Sequence, residues 1–178
     1  TYYDYTRTRI FEPAGMTSTA FPRRDERGAA DAVAYEPVME AGAIKRDAFV
    51  AASLGARGSS AGGASTPVDD MLRFGEAIAA GRLLDKAHFD LLTRGHVTMD
   101  ATGQQYGYGT IVETTPNGAS WGHGGRAPGT HFEFRVYQRQ ATMLVVMSNY
   151  NTIGGPELTS ALDDLIRLDP PAPPASPS

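Results

Sequence analysis

The sequence predicts an α+β chain: a helical and irregular region over residues 1–105, then an antiparallel sheet with a packed terminal helix over 106–168. Three observations predict it. Apolar residues recur at helical spacing after Thr66 and again from Pro156 to Leu168. From Tyr106 the period shortens to strand alternation. The strand-like runs are joined by links of a few residues, too short for a parallel crossover, so neighbours must run antiparallel.

The elements follow in order. Thr1 to Phe11 reads as a helix already under way, ending before Pro13 and Gly15. It lacks an initiator Met, a basic region and an apolar run, so it is not a signal peptide, and further chain is expected upstream. Residues 17–60 read as loops and short helical turns. Thr66-Pro67-Val68-Asp69 is a helix start, with Thr66 as expected N-cap and Pro67 as first helical residue. Val68, Met71, Leu72, Ile78 and Ala79 form its apolar stripe, and Gly81 ends it. Asp85–Thr93 is a second helix. Gly109–Thr114, Ala119–Gly124, Thr130–Tyr137 and Ala141–Ser148 are strands, with a turn at Pro116-Asn117-Gly118. In the terminal helix, Leu158, Ala161, Leu162, Leu165 and Ile166 are expected to face the sheet. Residues 169–178 are proline-rich and expected to be disordered.

Composition excludes several function classes. A net charge of −4 without a dense Lys/Arg cluster argues against a nucleic-acid partner. The chain has no cysteine, which removes disulfides and thiolate chemistry. No apolar run approaches the ~20 residues of a membrane span. His88, His96, His123 and His131 form no tight ligand spacing, so no metal or other cofactor is expected. His88 and His96 read as surface residues, and His131 as a polar residue at a strand end.

Two stretches fit the nucleophile-elbow pattern G-x-S-x-G, around Ser60 and around Ser120. An elbow needs a strand before the serine, a helix directly after it and a parallel sheet. More strands follow Ser120, and Phe49–Gly55 is a poor strand before Ser60, so neither fits. Trp121-Gly122-His123-Gly124-Gly125 is more informative. It sets one titratable ring among glycines that allow close approach of a backbone or a ligand.

Ile10–Thr17, Ala61–Thr66, the helix Val68–Phe74, Gly81–Leu84, Tyr106–Gly109, Trp121–Gly125 and Val145–Asn149 occur in succession. This order resembles the C-terminal half of the serine hydrolases related to class C β-lactamases, a group that includes esterases, D-stereospecific peptidases and penicillin-binding-protein-like proteins. The resemblance covers the chain up to about Leu168 and implies a partial β-lactamase/transpeptidase-like fold. Residues 1–105 would be part of its α-rich domain and 106–168 part of its α/β domain. It also implies a third catalytic motif at His123-Gly124-Gly125. His123 would support the nucleophile, the Arg126 backbone amide would help hold the oxyanion, and Gly124, Gly125 and Tyr108 would contact substrate.

The family's other motifs, Ser-x-x-Lys and Tyr-x-Asn, do not occur in this sequence. They are expected upstream of Thr1, in an N-terminal half that would be this chain's partner. Histidine where relatives carry lysine is a weaker carboxylate anchor, so the resemblance points to a small-molecule or peptide ester or amide before a β-lactam. The alternatives are true β-lactamase or D-Ala-peptidase specificity, or a non-catalytic binding module of the same fold. By analogy the location would be periplasmic or secreted.

Overall fold

In the computed structural model, residues 1–48, 57–99, 103–150 and 154–168 are described. The chain enters on α1 (Tyr2–Thr6), where the Thr1 hydroxyl accepts from the Asp4 amide and the Asp4 carboxylate bonds back to Thr1. A wider π-type turn at Arg7–Phe11 leads into α2 (Glu12–Ala14). Pro13 lies inside α2 rather than beyond the helix. It sits in the first turn, where a missing N–H costs little. Gly15, at φ 75°, ends the segment in the left-handed region.

Residues 35–48 correct the expectation of an irregular region. They form a hairpin of β1 (Tyr35–Glu40) and β2 (Ala43–Ala48). Its turn is Ala41-Gly42, both at positive φ (51° and 81°). That geometry usually carries Asn-Gly, which is why the sequence hides it. The hairpin is tied at its root. The Tyr35 amide donates to the Asn149 carbonyl (2.9 Å), and Asn149 Nδ2 donates to the Val33 carbonyl (2.9 Å).

The helix α3 (Val68–Ala79) begins one residue later than expected, with Pro67 at the N-cap. Thr66 does not cap it, because its hydroxyl pairs with that of Thr19 at 2.7 Å. Val68 is exposed, and the buried face runs through Met71, Phe74 and Ile78. Asp70 is fully buried and accepts from the Ser18 amide (2.8 Å), the Thr19 hydroxyl (2.8 Å) and Arg73 Nη1 (2.6 Å). Burial alone would raise its carboxyl pKa. The bonds from Thr19 and Ser18 and the Arg73 charge overcome that and hold it below the ordinary value. Asp70→Asn is therefore expected to cost about 2 kcal/mol in urea unfolding at neutral pH. The difference should shrink as the pH falls through the folded-state pKa, where the wild-type carboxyl is protonated as well.

The second helix expected over Asp85–Thr93 is α4 (Lys86–Leu92), with Asp85 as its N-cap, accepting from the His88 amide at 2.9 Å. The sheet follows: β3 (Val97–Thr98), β4 (Gln105–Tyr106), β5 (Ile111–Thr115), β6 (Gly118–Ala127), β7 (Thr130–Tyr137) and β8 (Thr142–Ser148). Strand order equals sequence order, and every pairing is antiparallel, which makes a meander. This is the α+β architecture expected from the links.

Alternation sorts the side chains to two faces. Trp121, Phe132, Phe134, Val136 and Val145 pack against Met71, Phe74 and Ile78 of α3. Burying each large side chain is worth about 2–3 kcal/mol. On the other face Tyr137, Leu144 and Val146 meet Leu162 and Ile166 of α5 (Gly155–Leu168). Leu158, Ala161 and Leu165, expected to face the sheet, are exposed. The inward stripe of α5 is Thr159, Leu162, Asp163, Ile166 and Arg167. Its polar members bond to sheet residues, and this displaces the purely apolar face. Residues 169–178 lie outside the described residues.

Candidate functional site

β6 has two environments. Its first half is interior: Gly118–Gly122 pairs with β5 on one side, while residues from Ser120 onward pair with β7 on the other. Beyond Gly122, β5 has ended. Among the described residues His123–Ala127 pairs only with β7 and leaves an open edge.

Register decides which groups face that edge. The Gln138 amide donates to the Ala119 carbonyl at 3.0 Å, so Ala119 turns its polar groups toward β7. Antiparallel alternation then turns Trp121, His123 and Gly125 the same way. Gly124 and Arg126 turn their N–H and C=O outward, to the open edge. The Arg126 amide is thus free of the β7 ladder, the direction that an oxyanion donor requires.

A cleft of about 300 Å³ opens there, lined by Ile111, Gly124, Gly125, Arg126, His131 and Thr159, among others. The glycines differ in what surrounds them. A Cβ on Gly122 would stand 2.0 Å from the Phe134 carbonyl oxygen. One on Gly124 would stand 2.3 Å from Glu133 Oε2, and one on Gly125 would meet nothing within 4 Å. Gly122 and Gly124 permit close packing, whereas Gly125 leaves space.

His123 is exposed on this strand. Its Nδ1 lies 2.5 Å from the Gly124 carbonyl oxygen, and its Nε2 lies 3.0 Å from the Tyr106 hydroxyl. The two rings meet edge to face at 5.7 Å and 88°. The register of β4, β5 and β6 aligns Tyr106 with Ile111 and Ile111 with Gly122, which brings Tyr106 level with the residue before His123.

Of the expected site residues, the structure brings together His123, Gly124, Gly125 and Arg126. Tyr108 stands apart. It is 65% exposed in the β4–β5 turn and packs on His96 at 4.4 Å between ring centroids. Tyr106, two residues earlier in the same motif, holds the ring contact with His123 that sequence reasoning missed. Its only signal was the two-strand register, which a motif does not carry.

His131 is also more than a strand-end polar residue. It is 6% exposed, and its Nε2 donates to the Thr159 hydroxyl (3.0 Å), whose own proton goes to the Gly155 carbonyl. Burial lowers its pKa, and the nearby Arg126 charge adds to that. Ser120 lies buried in mid-strand, accepting from Arg167 Nη2, and makes no elbow. Ser60 occupies a tight turn closed by Ser59 and Gly62, with α3 starting only at Val68, while Phe49–Gly55 lies outside the described residues. Among the described residues, no cluster of three His, Asp or Glu side chains could hold a metal ion, and no helix is long and apolar enough to cross a membrane.

Comparison with known proteins bears on this arrangement. Among curated proteins none matches the sequence. A penicillin binding protein from Bacillus halodurans shares the fold at TM-score 0.80 and 25% identity, over 93% of this chain and 50% of that one. A D-stereospecific amidohydrolase from Streptomyces sp. matches at TM-score 0.64 and 22% identity, over 84% and 44%. A D-amino acid amidase from Ochrobactrum anthropi SV3 matches at TM-score 0.66 and 20% identity, over 93% and 50%. The chain thus spans about half the length of these structures. The family model described as Beta-lactamase matches residues 1–166. With the fold shared and the family model matched over most of its length, this chain belongs to the beta-lactamase family.

Proposed function

We propose that this chain is the C-terminal portion of a serine hydrolase that cleaves an ester or amide through an acyl-enzyme. The carrying observation is the open half of β6, where the outward Arg126 amide and the vacant space at Gly125 lie beside His123. The nucleophilic Ser-x-x-Lys and the Tyr-x-Asn motif come from polypeptide outside these residues. The serine attacks the carbonyl, and the Arg126 N–H stabilises the developing oxyanion. The alcohol or amine leaves carrying a proton as the ester or amide bond breaks, and water then hydrolyses the acyl-serine to release the acid and free the serine. The acyl group lies along Gly125. The amidase and amidohydrolase named among the structural neighbours support an amide as one substrate class. Histidine in place of a lysine cation supports ester and amide over β-lactam.

A fluorophosphonate probe tests the reading. The intact protein is expected to take one covalent label on the serine of Ser-x-x-Lys, located by peptide mass spectrometry, and the isolated 178-residue chain to take none. A label on any serine of the isolated chain would place the nucleophile here and overturn the assignment. An intact protein that resists labelling would favour a binding module. Within the intact enzyme, Gly125→Ala is expected to lower kcat/KM about tenfold or more by displacing the acyl group. Its melting temperature should stay unchanged, because no atom stands within 4 Å of the added methyl.

A further inference from the structure

We propose that Tyr106 is a positioning residue for His123, selecting for the neutral ring the tautomer protonated on Nδ1, with Nε2 turned to the tyrosine hydroxyl. The assignment follows from what each partner can do. The Gly124 carbonyl oxygen only accepts, so the 2.5 Å contact to Nδ1 requires the ring proton there. A neutral imidazole carries one ring proton. Nε2 is then a bare lone pair, and the Tyr106 hydroxyl at 3.0 Å donates to it. The edge-to-face approach at 88° holds the plane of the ring as well as its protonation site.

The position is built into the sheet. Tyr106 sits on β4, two strands from β6, level with Ile111 and Gly122. β5 ends level with Gly122, so the long phenol reaches His123 past the end of that strand, a distance that serine or threonine could not cover. The Gly124 carbonyl is available to Nδ1 because it faces the open edge instead of β7. The two partners thus reach His123 from different elements, and each engages one nitrogen.

The consequence for substrate rests on the hydrolase reading above. With both nitrogens engaged, His123 turns no free N–H toward a substrate carboxylate. The Tyr106 oxygen keeps acceptor capacity and would take a hydrogen bond from an N–H or O–H of the bound molecule. The site then suits an ester or amide bearing a hydrogen-bond donor beside the acyl group.

Long-range proton–nitrogen NMR on the chain with ¹⁵N-labelled histidine, in mildly alkaline buffer, tests this. Loss of a signal in H123Q assigns His123. The wild type is expected to show His123 protonated on Nδ1. Y106F is expected to shift it toward the Nε2-protonated form that free histidine favours in water. His131, whose Nε2 donates to Thr159, is the internal control and should stay Nε2-protonated in both. A wild-type His123 protonated on Nε2 would overturn the proposal whatever becomes of the variant, and so would a Y106F spectrum that keeps Nδ1 protonation. The readout is a protonation site and not turnover. An Nδ1-protonated His123 in a protein that resists fluorophosphonate would leave Tyr106 in its role and sink only the hydrolase reading.

Discussion

Replacing Arg167 by alanine is expected to cost about 3 kcal/mol of stability in urea unfolding, within the range for breaking a buried charge pair. Its side chain is 13% exposed and ties α5 to three sheet residues. Nε donates to Asp163 Oδ2 (2.8 Å), Nη1 to the Thr115 hydroxyl (3.3 Å), and Nη2 to Ser120 Oγ (3.1 Å) and to Glu113. Alanine would leave the half-buried Glu113 and Asp163 with Arg135 as a neighbouring cation. That remaining partner keeps the cost near the lower end.

The loss should depend on pH, with a sign fixed by Asp163. Burial alone would raise its pKa. Hydrogen bonds from Arg167 and Tyr137 and the two guanidinium charges outweigh that and leave it below the ordinary value. A depressed folded-state pKa contributes stability above the unfolded pKa, and this is lost as pH falls through the folded one. The gap between wild type and R167A should therefore narrow below about pH 4. A gap that stays constant into acid would mean that Arg167 acts by packing alone.

Gly122→Ala is the second large effect. The new methyl would stand 2.0 Å from the Phe134 carbonyl oxygen and 2.8 Å from the Arg135 Cα. Both belong to the β7 backbone, so no rotamer relieves the clash and the β6–β7 pairing must move. The cost is expected to be about 3 kcal/mol, the upper end for overpacking. For a chain of this size it corresponds to a melting temperature lowered by about 6–12 °C. Gly125→Ala, three residues on, should melt as wild type. Equal melting of all three proteins would refute the close approach at Gly122. Gly122, just before the His-Gly-Gly motif, is thus a backbone packing requirement, whereas at Gly124 the Glu133 side-chain tip stands closest and at Gly125 nothing stands within 4 Å.

Much of this was legible in the sequence where the signal is local. Thr130–Tyr137 alternates and is the strand β7, and the helix expected over Asp85–Thr93 is α4. The signals failed where a residue's partner lies far along the chain. Thr66 has the chemistry of an N-cap, yet Thr19 claims its hydroxyl. Leu158 and Leu165 fit a helical stripe, but Asp163 and Arg167 turn α5 so that charged bonds face the sheet. Tyr106 and Tyr108 look equivalent in a Tyr-Gly-Tyr-Gly run. Only the pairing through Ile111 assigns the first to His123. The hairpin at 35–48 hid behind Ala41, a residue that seldom adopts positive φ.

The split character of β6 also sets a phase along the strand. Which amides face the open edge at 124 and 126 is decided at Ala119, inside the sheet, because the two halves share one unbroken alternation. Inserting a single residue between Ser120 and Trp121 would leave the meander's order intact. It would also invert the outer half, sending the Arg126 amide into the β7 ladder and turning its neighbours outward. The interior of the sheet thus serves as a reading frame for its rim, and a lesion in that frame would silence the edge without touching a residue that lines it.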